Sequence, residues 1–157
     1  MKRLLINLVA CACVLLAGLL CLRLDGLWPM PLPSIPEFLW GICLFTGLGL
    51  ILMAEAAFLS QGGATGAPAD PTKRLVISGI YRWVRNPIYL GGMLVILGAA
   101  LARRSPTLLA AAVLFLPVMH CTVVRGEERR LESEFGSEYR EYTEQVPRWI
   151  PRIRRSK

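Results

Sequence analysis

One histidine, His120, stands alone in 157 residues, and no two of the five cysteines form a Cys-x-x-Cys pair. Zinc and haem sites need several such side chains at fixed spacing, so no metal site is expected. Cys11, Cys13, Cys21, Cys43 and Cys121 each fall within an apolar run and read as small packing residues. No internal repeat is visible. Charge is sparse too: 18% of residues are Asp, Glu, Lys or Arg against 54% apolar. That balance argues against a soluble core.

What is there instead is a series of apolar runs, Leu4 to Leu22, about Ile35 to Leu59, Pro87 to Ala102, and Pro106 to Val124. A bilayer core of roughly 30 Å needs about 20 helical residues. The first, second and fourth runs are long enough. The third crosses only by borrowing flanking residues or thinning the bilayer, or else forms one arm of a tight hairpin with the fourth. The expected fold class is all-α, a multi-pass integral membrane protein of about four transmembrane helices with a C-terminal cytosolic amphipathic helix. It forms a single membrane domain over 1–157. Two N-terminal spans occupy 1–59, a Gly/Pro-rich loop and motif 60–86, a helical hairpin 87–125, and a C-terminal helix with a basic tail 126–157.

The net charge of +7 is more informative by position than as a total. With four spans, every Lys and Arg except Arg23, Arg103 and Arg104 falls on one side of the membrane. The positive-inside rule then places both termini, the central loop and the tail in the cytosol, as in a bacterial inner membrane. Such a face attracts membrane lipids through their anionic headgroups, and no nucleic-acid partner is expected. Leu8-Val9-Ala10-Cys11 looks like a lipoprotein cleavage box, but the apolar run continues well past Cys11 and more spans follow.

The prolines of Trp28 to Pro36 preclude a regular helix and suit a short extended crossing of the outer interface, with Trp28 and Trp40 as interfacial anchors. Glu55, near the cytosolic end of the second span, is open to two readings: a functional carboxylate, or one that simply reaches headgroups or water. Residues 61–72 read as a flexible linker. Pro87 suits a first helical position, with Asn86 placed to cap it, and Gly91, Gly92 and Gly98 allow a neighbouring helix to approach. Arg103-Arg104-Ser105-Pro106 makes a tight reversal capped by Ser105, and Pro117 is expected to kink the fourth helix near His120 and Cys121. Beyond Arg125, Leu131, Phe135, Tyr139 and Tyr142 form an amphipathic stripe that Glu138 interrupts and Gly136 resets.

Two clusters share the predicted cytosolic side, the junction Tyr81 to Tyr89 and the pair Glu127-Glu128. The helical hairpin makes them neighbours. Arginines and backbone donors at a helix start can receive a carboxylate, the glutamates an ammonium or sulfonium, and Tyr81, Trp83 and Tyr89 offer stacking surfaces. Those properties fit a zwitterionic, cationic, aromatic cofactor such as S-adenosyl-L-methionine. They also fit interfacial lipid anchors, and composition alone leaves both open.

The run Leu75 to Gly92, LVxSGxYRxxRNPxYxGG, followed by Glu127-Glu128, Leu131, Phe135-Gly136, Tyr139, Tyr142 and Val146-Pro147, resembles the isoprenylcysteine carboxyl methyltransferase and phospholipid methyltransferase superfamily, in particular its short bacterial members. The resemblance covers about residues 60–152. It implies an all-helical membrane enzyme with S-adenosyl-L-methionine in a cytosolic pocket and a lipophilic methyl acceptor arriving through the membrane. Carried over, the cofactor contacts are Leu75, Val76, Tyr81, Asn86, Pro87, Ile88, Tyr89 and Glu127, with Glu128 in the same motif; no catalytic residue is implied. Arg125 is a candidate for positioning an anionic acceptor, beside its reading as a snorkelling interfacial arginine. Asn86 stands where better-known members carry histidine, and an amide cannot shuttle a proton near neutral pH. The competing reading is a non-enzymatic membrane adaptor whose basic face binds lipid or a partner. Membrane sterol reductases, a related architecture, are larger bundles, and this chain shows no added phosphate-binding loop.

Overall fold

The structure, a computed structural model, describes residues 16–18, 20–21, 23–27, 36–62 and 74–151. Most of the first apolar run, the proline-rich crossing after Trp28, most of the 61–72 linker and the basic tail from Arg152 lie outside the described residues. All regular structure among the described residues is helical. Helix α1 lies within 16–27, α2 is Glu37–Ala57, α3 Pro87–Arg103, α4 Pro106–Met119 and α5 Arg125–Gln145.

Helix α2 continues into a π turn, Phe58–Gly62, and this Glu37–Gln61 stretch is the one helix among the described residues long and apolar enough to cross a membrane. Helix α3, at 17 residues, is about 26 Å long, and α4 has 14. The fourth apolar run is nonetheless continuous helix, because a π turn, His120–Val124, joins α4 to α5. Pro117, where the sequence predicts a kink, lies inside α4, and the π turn begins three residues beyond it at His120. Large apolar side chains cover the outside: Phe45 is 72% and Val113 67% exposed. Exposed apolar surface of this kind marks a face covered by lipid or by another protein.

Three helices are tied together by the absence of side chains. Helices α2 and α3 run antiparallel with backbones in near contact. A Cβ on Gly47 would sit 2.7 Å from the Gly91 carbonyl oxygen, and one on Gly98 would sit 3.0 Å from that of Trp40. Gly92 faces the other neighbour, where a Cβ would meet the Phe115 ring of α4 at 3.3 Å. The three glycines of α3 thus seat it between α2 and α4.

The α3–α4 reversal follows the sequence reading. Arg104 takes the left-handed conformation (φ 49°), and the Ser105 side chain accepts from the Leu108 backbone N–H at 3.0 Å. Asp25 of α1 completes this cap. It accepts from Ser105 Oγ, from the Thr107 backbone N–H at 3.2 Å and from Thr107 Oγ1 at 2.9 Å, placing a carboxylate at the start of α4. The Asn86 cap differs from expectation. Asn86 occupies the position before α3, at φ −123° and ψ 57°, and no side-chain cap bond forms.

Helix α5 buries Tyr139 and Tyr142 with Val146, against Leu75, Leu131 and Phe135, so the stripe faces inward. Gly136, at φ 54° and ψ −120°, breaks the helix in a conformation open mainly to glycine and resets the stripe. Glu138, the misfit in the pattern, is exposed.

Candidate active site

The motif from Leu75 to Tyr89 is held on both sides by apolar packing. Val76 and Tyr81 are buried against Ala54 and Ala57 of α2, and Ile88 packs on the same cluster. Leu75 points the other way, into the tyrosine cluster of α5. Between them Gly79, at φ 60°, starts a single 3-10 turn, Gly79–Arg82, which brings Tyr81 edge-on to Phe58 with ring centroids 5.2 Å apart. Tyr142 donates its hydroxyl to the Tyr81 carbonyl at 2.8 Å, and the Arg85 backbone N–H donates to the Pro147 carbonyl at 3.0 Å. Two long-range bonds therefore clamp the motif to the end of α5. Val84 is 2% exposed, and Pro87 is fully buried at the first turn of α3.

Glu127 and Glu128 occupy the first turn of α5 and, being adjacent, project about 100° apart. Glu127 accepts from the Tyr89 hydroxyl at 3.0 Å. Glu128 accepts from Arg85 Nη1 at 3.1 Å and, through both oxygens, from Arg148 Nε and Nη2 at 2.8 and 2.7 Å. The Arg148 interaction is a planar two-bond fork, the strongest geometry for such a pair. One glutamate is thus consumed in bracing α5 to the motif and to the C-terminal segment, while the other accepts from Tyr89.

Electrostatics separate the pair further. Burial pushes the Glu127 carboxyl above the usual glutamate range, aided by neighbouring Glu128 and opposed by the Tyr89 hydroxyl and Arg130. Tyr81 is raised as well, by burial first and then by Tyr142, Glu55, Glu127 and Tyr89. Glu55 therefore acts on Tyr81 from the end of α2, in the same neighbourhood as Glu127. The hydrogen bonds that Arg148 donates to Glu128 hold it firmly protonated.

Among the described residues, three buried side-chain nitrogens have no hydrogen-bond partner: Asn86 Nδ2, Arg85 Nε and His120 Nδ1. Such orphans are costly and rare in folded proteins. Asn86 Nδ2 lies in the motif three residues before Tyr89, the residue that meets the half-buried Glu127 carboxylate. The histidine ring packs edge-on to Trp149, with centroids 6.4 Å apart.

Of the residues singled out in the sequence, Tyr89 and Glu127 are in direct contact, while Val76, Tyr81 and Ile88 form the wall behind them. Leu75 is on the far side of the motif. Arg125 lines a recess on the Glu128 side, roughly 200° around α5 from Glu127. The residue missed is Arg148. Its signal was its place directly after Val146-Pro147, where a cation returns towards the acidic pair.

Comparison with known proteins adds a second line of observation. The phospholipid methyltransferase family matches residues 36–138. Protein-S-isoprenylcysteine O-methyltransferase of Schizosaccharomyces pombe is 30% identical over 127 residues, covering 74% of this chain and 53% of the relative. Methanethiol S-methyltransferase 1 of Bradyrhizobium diazoefficiens is 32% identical over 158 residues, 88% of this chain and 53% of the relative. Cobalt-zinc-cadmium resistance protein CzcN of Cupriavidus metallidurans is 31% identical over 131 residues, covering 83% and 55%. The chain spans about half the length of these relatives. The matched span includes α2, the motif, the hairpin and the start of α5, and the chain belongs to the phospholipid methyltransferase family, within the superfamily that includes the isoprenylcysteine methyltransferases.

Proposed function

We propose that this chain is a membrane methyltransferase that uses S-adenosyl-L-methionine and acts on a lipophilic or small hydrophobic acceptor at the cytosolic face. The observation that carries the reading is the Tyr89–Glu127 contact, which joins the two motif halves across 38 positions at a half-buried carboxylate, in a motif that also holds an unpartnered buried donor on Asn86.

The residues fit the cofactor's chemistry. Glu127 is the anion for its positive centre or hydroxyls, Asn86 Nδ2 a donor for an acceptor atom, and Tyr81 and Tyr89 the aromatic wall, with Pro87 and Ile88 closing the turn. Leu75 and Val76 act from behind by fixing the motif to α5 and α2. Glu128 holds the first turn of α5 in place through Arg85 and Arg148. When bound, the cofactor supplies a methyl group already activated on a sulfonium. The chain's task is then to align donor and acceptor and keep water out, an effect of proximity and orientation. Asn86 holds and does not titrate, so the motif moves no proton. An acceptor that arrives as a carboxylate or thiolate needs none moved.

The topology proposed is four crossings with both termini in the cytosol. Support comes from the antiparallel packing of α2 with α3, the α3–α4 reversal, the contact of α1 with the start of α4, and the apolar exterior. The acceptor class follows the relatives' names, which specify a prenylated cysteine in one case and methanethiol in another. Transfer from labelled cofactor into fractionated lipids, prenylated peptides and small thiols tests the assignment, with Glu127→Ala as the blank. Label in no fraction, together with membrane binding that depends only on total charge, favours the adaptor.

A further inference from the structure

Opposite the Glu127 side of α5, five arginines converge on one recess of about 390 Å³. Arg85 comes from the motif, Arg125 and Arg129 from the first half of α5, Arg140 from beyond the Gly136 break, and Arg148 from the C-terminal segment. Only Glu128 and Glu132 line it as carboxylates, leaving three positive charges in excess.

The internal pairing does not use this charge up. Glu128 is taken by Arg85 and Arg148, and among the described residues no carboxylate lies within 4 Å of Arg125, Arg129 or Arg140. Arg125, Arg129 and Arg140 are all exposed, so their guanidinium groups are open to a ligand entering the recess. Like charges drawn together by separate chain segments repel one another, and an anion between them removes that repulsion. Planar guanidinium forks match a phosphate better than a single-point acceptor.

We propose that this recess is a phosphate-binding site, separate from the Tyr89–Glu127 pair. Two sources carry that group, a phospholipid headgroup and free phosphate. Helix α5 starts where the last apolar run ends, so Arg125 and Arg129 lie within its first two turns, at headgroup height if the chain crosses the membrane as proposed. The site itself does not depend on the methyltransferase reading, since binding alone reports it.

The test is thermal unfolding of the full chain in maltoside micelles at constant ionic strength, titrated with dihexanoyl phosphatidylglycerol or with inorganic phosphate. Saturable stabilisation by at least one probe is expected. Replacing Arg129→Gln and Arg140→Gln together should weaken its apparent affinity on the order of tenfold. The pair Arg103→Gln and Arg104→Gln, which removes equal charge at the α3–α4 reversal, should leave it intact. If the first double variant does not fold, Arg129→Gln alone should weaken affinity by about threefold. Saturation by phosphatidylglycerol alone identifies a headgroup site, and saturation by inorganic phosphate at equal or lower concentration a soluble one. No saturable shift with either probe, or equal losses in both double variants, overturns the proposal.

Discussion

The Tyr89 hydroxyl donates to the Glu127 carboxylate at 3.0 Å, joining the start of α3 to the start of α5 at a point where burial already raises the glutamate's pKa. Either residue alone reads as an interfacial side chain. Together they place an acid where protonation and cation binding compete.

That competition gives a pH dependence with two opposite signs. The Glu127 pKa is raised in the folded chain above its unfolded value of 4.5, so the folded state holds the proton more tightly. Stability contributed by this group is fully present below pH 4.5 and is lost as pH rises through the folded value. Cofactor affinity should run the other way, rising with pH as the carboxylate forms. Denaturant unfolding and cofactor titration across this range should show both trends, and Glu127→Gln should remove both.

Asn86→Leu separates stability from binding. Its Nδ2 is buried without a partner, so deleting the amide removes an unsatisfied donor, and the melting temperature should hold or rise. Cofactor affinity should fall on the order of tenfold if that donor serves the cofactor. A loss of stability with unchanged affinity would assign Asn86 to the fold.

Much of this was legible from residue order. Tyr139 and Tyr142 packed as their stripe implied, Gly136 broke the helix, and Ser105 capped α4. Pairing was not legible. Glu127 and Glu128 are chemically identical neighbours, and only the fold directs one to Tyr89 and the other to two arginines. Arg148 was likewise invisible as a partner because 20 positions separate it from Glu128. Asn86 misled because cap preference is local, whereas the motif's clamps on Tyr81 and Arg85 set its backbone.

Glu128 should behave as a brace. Glu128→Ala leaves Arg85, whose side chain is 14% exposed, without its carboxylate, and should cost about 1.5–3 kcal/mol in unfolding measurements. Arg148→Lys should recover only part of an Arg148→Ala loss, because an ammonium cannot make both bonds of the fork. Full recovery by lysine would reduce the contact to simple charge.

The α2–α3 contact should be intolerant of added volume. Gly91→Val places a side chain where a Cβ already lies 2.7 Å from the Gly47 carbonyl oxygen and 2.8 Å from Ile51. Unfolding stability should drop by about 1–3 kcal/mol. Gly49→Val, at a position with open space around its Cβ, is the matched control and should be close to neutral.

The most direct test is calorimetric titration of S-adenosyl-L-methionine into the purified chain in detergent, with Glu127→Gln and Glu128→Gln beside the wild type and each variant's fold checked by circular dichroism. The wild type should bind saturably, and Glu127→Gln should weaken binding on the order of ten- to a hundredfold while remaining folded. Glu128→Gln should lose stability first and affinity only to the extent that α5 shifts. Equal affinity in wild type and Glu127→Gln, or no saturable binding by the folded wild type, would contradict the site assigned to Tyr89 and Glu127.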